Sequence, residues 1–355
     1  MACQAQDNPK HKKQERPTGL PRSVPGMANF RLAHFQFVRI MPRMKIFAKM
    51  VALCAMVMLG SCVQGQGNYP PYNRRGNVTT VHRRAPIPGA ATRTPTIAGG
   101  LAPARPAAPS SRPAPAPGCS AVYVMDALTG RALYAYNANE RRQVASTQKI
   151  ITALCVCDSG NLDKIITVQA AECKEPPIKL GMKPGQQYRK RDLLKAMLTS
   201  SFNDAAACLA RDTAGSIQAF AARMNARAKR MGMTDSHFVN ANGLPADQYS
   251  TARDMARAAF YAYRNPIIRS YINIPEYTMT KADGTIRTVR STNKLLRLYP
   301  WVQGMKTGYT NKAGKCLISC GSANGRAVIV VVLGSTSSKI WNESLKYLKW
   351  GLNIS

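Results

Sequence analysis

From Val63 to about Pro117 the sequence cannot build a core. The stretch PGAATRTPTIAGGLAPARPAAPSSRPAPAPG is rich in Pro, Ala and Arg and carries no helical or strand period. Such a composition stays extended and buries too little apolar surface to offset its ordering entropy. Folding is therefore confined to the C-terminal part of the chain. Residues 118–355 make 238 positions with alternating and helical apolar patterns, enough for one full core. Both parts are basic: residues 1–117 carry 17 Lys/Arg against 2 acids, and residues 118–355 carry 33 against 15. The tether's arginines are read as solvated charge, with anionic lipid or wall polymer as the alternative contacts and no nucleic acid expected.

Upstream of the tether lies MKIFAKMVALCAMVMLGSC, with Lys45 and Lys49 at its start and an apolar run from Met50 to Leu59. The run is short for a membrane span and reads as a signal-peptide core. It ends Leu59-Gly60-Ser61-Cys62, similar to the lipobox of bacterial lipoproteins, so lipidation of Cys62 is expected. A basic leader as long as residues 1–43 does not suit such a signal, which points to translation from Met44 or Met41. The organisation expected is thus a leader at 1–43, a signal peptide at 44–61, a tether at 62–117 and a folded domain at 118–355. That organisation implies an exported, envelope-localised protein, lipid-anchored on the periplasmic side of a membrane.

Seven cysteines lie beyond Cys62, an odd number that requires at least one free thiol. Cys155 and Cys157, two apart on a predicted helix, face apart and cannot bridge each other. His237 is the only histidine of the folded part, so no zinc-hydrolase cluster is expected and no metal or other cofactor is assigned.

SAVYVMDALTGRALYAYN predicts two strands joined at Ala127–Gly130, and a helix begins near Ser146. The middle is helical in RKRDLLKAMLTSSFNDAAACLARD, IQAFAARMNARAKRMGM and ARDMARAAFYAYR, the last behind a Thr251/Asp254 capping box. YTMTKADGTIRTVR predicts a hairpin at Asp283-Gly284, and KCLISCGSANGRAVIVVVLGS another at Asn324-Gly325. A last helix runs from about Ile340 to Leu352. Strands at both ends with helices between predict an α+β fold: an antiparallel sheet formed by both ends of the domain, with an inserted helical lobe.

Within ASTQKIITAL, Ser146 and Lys149 stand three apart at the start of an apolar helical run, so both side chains share a face. Alone that spacing means little, since Ser291 and Lys294 repeat it. Ser201-Phe202-Asn203 likewise has rivals in Ser291-Thr292-Asn293 and Ser322-Ala323-Asn324, but Lys306-Thr307-Gly308 occurs once, where it is expected to lead a strand. The order carries the weight: Ser-x-x-Lys, then Ser-x-Asn, then Lys-Thr-Gly is the signature of penicillin-binding proteins and class A β-lactamases.

From about Ser120 onward the chain resembles the D-alanyl-D-alanine carboxypeptidases among the low-molecular-mass penicillin-binding proteins, serine peptidase family S11. VMDALTGRALYAYNA, MGMTDSHFVNANGL, YSTARDMA and VQGMKTGYTNKAGKCL carry that likeness together with the three motifs. The resemblance implies a β-lactamase/transpeptidase-like fold, an acyl-enzyme on Ser146, and peptidoglycan stem peptides as substrates, with β-lactams as acylating inhibitors. It makes Lys149 the base for Ser146 and Ser201 the proton relay to the leaving amine. Asn203 then positions the substrate backbone and Lys149. Lys306 and Thr307 hold the substrate carboxylate, and Gly308 admits the substrate strand. The amides of Ser146 and Tyr309 form the oxyanion hole. Lys149 must be neutral to accept a proton, so burial and nearby cations have to depress its pKa.

The sequence departs from the family pattern at Phe202, expected to narrow the cleft, and at NANGL, where a proline-containing form is usual. NANGL is read as stabilising the site, and His237 as structural. The chain ends after the last helix, where many members continue into a β-rich domain and a membrane anchor; the expectation is that Cys62 replaces that anchor. A DD-endopeptidase using the same site and an inactive lipid-anchored wall-binding module are the competing functions. A β-lactamase is disfavoured because Glu276 is the only glutamate between 204 and 305.

Overall fold

The structure is a computed structural model that describes residues 112–355. The expectations for the leader, the signal peptide, Cys62 and most of the tether fall outside the described residues.

The strands are β1 (Ala121–Asp126), β2 (Ala132–Tyr136), β3 (Ile165–Thr167), β4 (Gln187–Arg189), β5 (Glu276–Thr280), β6 (Ile286–Arg290), β7 (Val302–Thr310), β8 (Gly314–Ala323) and β9 (Arg326–Ser335). The helices are α1 (Lys149–Asp158), α2 (Ala170–Cys173), α3 (Lys190–Ser200), α4 (Asn203–Ala214), α5 (Ile217–Arg230), α6 (Ala252–Arg264), α7 (Pro266–Ile272), α8 (Leu295–Leu298) and α9 (Ile340–Leu352).

Five strands form the main sheet in the order β2-β1-β9-β8-β7, every neighbour antiparallel. Both ends of the folded domain build it, and the helices between β2 and β7 form the inserted lobe, as the periodicities predict. The centre strand β9 is apolar on both faces because both faces are covered. Val328, Val330 and Val332 pack with α9 through Tyr347, Leu348 and Leu352, whereas Ile329, Val331 and Leu333 join the larger core with the helical lobe. The turn at Asn324 and Gly325 has positive φ at both residues (52° and 70°), the geometry an Asn-Gly hairpin demands.

The lobe is organised around α1, whose residues Lys149 to Val156 are all buried. A helix covered on every side leaves its one lysine no route to solvent, and this sets up the chemistry of the site. Thr251 caps α6 as predicted, its hydroxyl accepting the Asp254 N–H at 3.0 Å. The stretch predicted helical from 189 to 212 is broken: Ser201 takes a left-handed conformation (φ 65°) and separates α3 from α4. The short antiparallel pair of β3 and β4, separated along the chain by α2, was not expected, because three-residue strands carry too little period to read.

The expected domain start at 118 is preceded by an ordered strap. Residues 112–117 run along α9: Trp350 Nε1 donates to the Arg112 carbonyl (2.9 Å) and the Tyr347 hydroxyl to that of Pro115 (3.0 Å). The Gly118 N–H then donates to Glu343 (3.0 Å), so the chain reaches β1 along the whole length of the helix. Proline-rich backbone keeps its carbonyls free, and here α9 supplies their donors.

Candidate active site

Ser146 lies in a 3-10 turn, Ala145–Gln148, that feeds directly into α1. In that geometry positions three apart eclipse, and Lys149 Nζ reaches Ser146 Oγ at 2.9 Å. Ala145 carries φ 48°, a left-handed conformation costly for a residue with a Cβ, immediately before the serine. The Thr147 hydroxyl closes the turn on the Val144 carbonyl at 2.6 Å.

A loop at 240–244 is fastened over this turn. Gln148 donates to the Asn240 carbonyl (2.7 Å) and Thr152 to that of Ala241 (2.6 Å). These bonds aim the Asn242 carbonyl at the reactive pair, where it accepts from Lys149 Nζ (2.5 Å) and from Ser146 Oγ (3.1 Å). Gly243 (φ +82°) touches the turn backbone so closely that a Cβ would sit 2.2 Å from the Ala145 carbonyl oxygen. The stretch read as merely stabilising thus supplies a direct ligand to the lysine.

The third partner of Lys149 is Asn203 Oδ1 at 2.8 Å. Asn203 opens α4, and its Nδ2 donates to the carbonyls of Pro176 (3.1 Å) and Pro177 (3.0 Å). The buried carboxylate of Asp204 takes the N–H groups of Leu180 and Gly181 at 2.9 Å each, so the 175–181 loop is clamped to the start of α4. Ser201, in its left-handed turn, lines the cleft; the hydrogen bonds of Lys149 go to Ser146, Asn203 and Asn242 instead.

Lys306, Thr307 and Gly308 sit inside the edge strand β7, with Lys306 opposite Ile318 of β8, and do not lead into a strand as expected. Lys306 is 1% exposed and donates to the Thr307 carbonyl at 2.9 Å. Thr307 faces the cleft, its hydroxyl 2.6 Å from that of Thr292. Thr292 belongs to the Ser291-Thr292-Asn293 stretch that looked like a chance rival motif; no signal in one sequence separates it from the background. A Cβ on Gly308 would lie 2.9 Å from the Ser146 N and 3.0 Å from the Val144 carbonyl oxygen. The immediate need for glycine is therefore the seating of β7 against the serine turn. Tyr309 is 54% exposed at the rim, with the Lys315 ammonium 3.9 Å from its ring centroid. The cleft holds about 400 Å³.

Phe202 does not narrow it. The ring is 2% exposed, in the core beneath the α3–α4 junction, with the Arg287 guanidinium 4.7 Å from its centroid. A bulky residue fits there because the left-handed turn at Ser201 swings the neighbouring side chain inward.

Burial holds the Lys149 pKa well below the ordinary lysine value, and Lys306 pushes it further down while Glu175 opposes. Burial brings Lys306 itself down to about 7. A neutral amine 2.9 Å from a serine hydroxyl is a competent proton acceptor. All seven cysteines of the domain are free thiols, with Cys155, Cys208, Cys316 and Cys320 buried.

The fold and this serine–lysine constellation define a penicillin-binding type of acyl-transfer enzyme. The family model described as D-alanyl-D-alanine carboxypeptidase, peptidase S11, matches residues 110–337. The chain belongs to that family. It is 35% identical over 214 residues to a D-alanyl-D-alanine endopeptidase of Pseudomonas aeruginosa, covering 59% of this chain and 69% of that one. It is also 35% identical over 272 residues to a D-alanyl-D-alanine carboxypeptidase of Escherichia coli, covering 72% of this chain and 66% of that one. Coverage varies among the other curated relatives: the chain spans 56% of a carboxypeptidase of Bacillus subtilis and 81% of one of Mycobacterium tuberculosis. Among solved structures, a Streptomyces DD-transpeptidase superposes with TM-score 0.65 at 30% identity, covering 68% of this chain and all of that one. The family and these neighbours make the chain a serine-type DD-peptidase, and its α+β architecture the one they share.

Proposed function

We propose that the protein is a D-Ala-D-Ala carboxypeptidase that trims peptidoglycan stem peptides through an acyl-enzyme on Ser146. The observation that carries this is the fully buried Lys149, its side-chain nitrogen 2.9 Å from Ser146 Oγ. Ser146 Oγ attacks the penultimate D-Ala carbonyl while Lys149 takes the hydroxyl proton. The amides of Ser146 and Tyr309 receive the developing oxyanion; the contact of Gly308 with the serine turn supports that pairing. The C–N bond breaks as the proton taken up by Lys149 passes through Ser201 to the leaving D-Ala amine. Water then adds to the ester, its proton returns by way of Lys149, and the Ser146 C–O bond opens. Asn203 orients Lys149 and the substrate backbone, while Thr307 and the charge of Lys306 hold the terminal carboxylate.

Endopeptidase action by the same site is the second reading, favoured by the likeness to the endopeptidases of Pseudomonas aeruginosa and Escherichia coli. Offering the intact chain a stem pentapeptide and a crosslinked stem-peptide dimer decides. The expected result is D-Ala release from the pentapeptide at least about tenfold faster, a difference of about 1.4 kcal/mol in the barrier. Faster cleavage of the dimer would make it an endopeptidase.

A further inference from the structure

Lys149 and Ser146 both donate to one backbone carbonyl, that of Asn242 (2.5 and 3.1 Å). Two donors on one oxygen fix the direction of both side chains only if the oxygen itself is fixed. The Asn242 side chain provides this from the other end: its Nδ2 donates to Glu175 Oε2 at 2.8 Å. Glu175 lies in the 174–181 loop, whose Pro176 and Pro177 carbonyls accept from Asn203, the remaining partner of Lys149. One loop therefore anchors two of the three groups that hold the lysine.

We propose that Glu175 is a positioning residue for acylation, fastening the Asn242 carbonyl that orients the Ser146–Lys149 pair and placing a negative charge beside that lysine. It touches neither nucleophile nor substrate and acts through Asn242. The inference rests on Ser146 being the nucleophile.

The charges around the pair give the carboxylate a second effect. Lys149 feels Lys306 from β7 and Glu175 from the loop. Burial raises the Glu175 pKa above the ordinary carboxyl value and Asp204 adds to this, while the Asn242 hydrogen bond, Lys149 and Lys179 favour its anion. Glu175 raises the proton affinity of Lys149, so removing its charge makes the neutral amine available at lower pH. Loop fastening alone has no such consequence. Behind Glu175 a recess of about 170 Å³, shared with Glu172 and Arg211, is open, so shortening the side chain enlarges an existing void without sealing off a new one.

The test is the second-order rate of acylation of the intact chain by a fluorescent penicillin, across pH, for wild type, Glu175→Gln and Glu175→Ala. The glutamine oxygen can still accept from Asn242, so that variant should keep its optimal rate within about threefold and move its acid limb down by about half a pH unit. The alanine variant should lose about 10- to 100-fold, the scale of an unfastened supporting group. A wild-type rate in Glu175→Ala, or an unmoved acid limb in Glu175→Gln, would overturn the proposal; the glutamine variant decides even if the alanine variant folds poorly. No acylation of the wild-type chain would overturn the Ser146 reading and this inference with it. Acylation with insensitive variants would overturn this inference alone.

Discussion

Replacing Lys149 by Ala is expected to lower acylation of the protein by about 10²- to 10⁴-fold, the range associated with a positioned general base. Lys149 is buried and hydrogen-bonded to Ser146, Asn203 and the Asn242 carbonyl. In its neutral form it can take the serine proton; the protonated form cannot. Wild-type kcat/KM should therefore fall on the acid side as Lys149 gains a proton. It should fall again on the alkaline side as Lys306, whose pKa burial brings to about 7, loses the charge that draws the substrate carboxylate. The two lysines titrate as a coupled pair, so the limbs belong to the pair. In Lys149→Ala the acid limb should vanish with the rate. A rate within tenfold of wild type would show that another group removes the proton.

The second large effect is expected at Gly243→Ala. The new methyl would lie 2.2 Å from the Ala145 carbonyl oxygen and 2.8 Å from the Ser146 nitrogen, at a φ of +82°. The left-handed conformation costs about 1 kcal/mol for alanine and the overlap about 1–3 kcal/mol more. Relief comes only by lifting the 240–244 loop, which withdraws the carbonyl that holds Lys149. A displacement of about 1 Å at such a site costs about 100-fold in rate. Gly160→Ala is the matching control: φ is +68°, and nothing lies within 4 Å of the added methyl. It should show only the conformational cost of about 1 kcal/mol and keep full activity. Thermal melts and acylation rates of the two variants measure both effects. Equal activity in the two would show that the loop does not hold the site.

How much of this was legible in the sequence differs by element. The hairpins at Asn324-Gly325 and Asp283-Gly284 declared themselves because positive-φ turns admit few residues. Helix α6 was readable from its Thr251 cap and apolar face, and its observed limits, Ala252–Arg264, match the ARDMARAAFYAYR stretch. The sheet built from both ends followed from where the strands stood along the chain. The break at Ser201 was invisible because residues 189–212 keep a helical apolar rhythm through it, and only tertiary contacts turn the backbone there. The strap at 112–117 was hidden for the reverse reason: its order comes from donors on α9, not from its own side chains.

At the site, Ser146, Lys149, Ser201, Asn203, Thr307, Gly308 and Tyr309 converge on or beside one cleft, with Lys306 buried behind its wall. What the sequence could not display is backbone. The Asn242 carbonyl belongs to every residue type alike, so only the fold reveals that it faces the lysine. Glu175 acts through that carbonyl and was hidden with it. Phe202 misled because its neighbours in sequence line the cleft while the turn points its ring into the core.

The most direct test is mass spectrometry of the intact chain after exposure to penicillin, beside Ser146→Ala. The account predicts one covalent adduct, on the peptide that contains Ser146, and none in the variant. A folded wild-type chain without the adduct, or a variant that still carries it, would contradict the assignment of Ser146 as nucleophile.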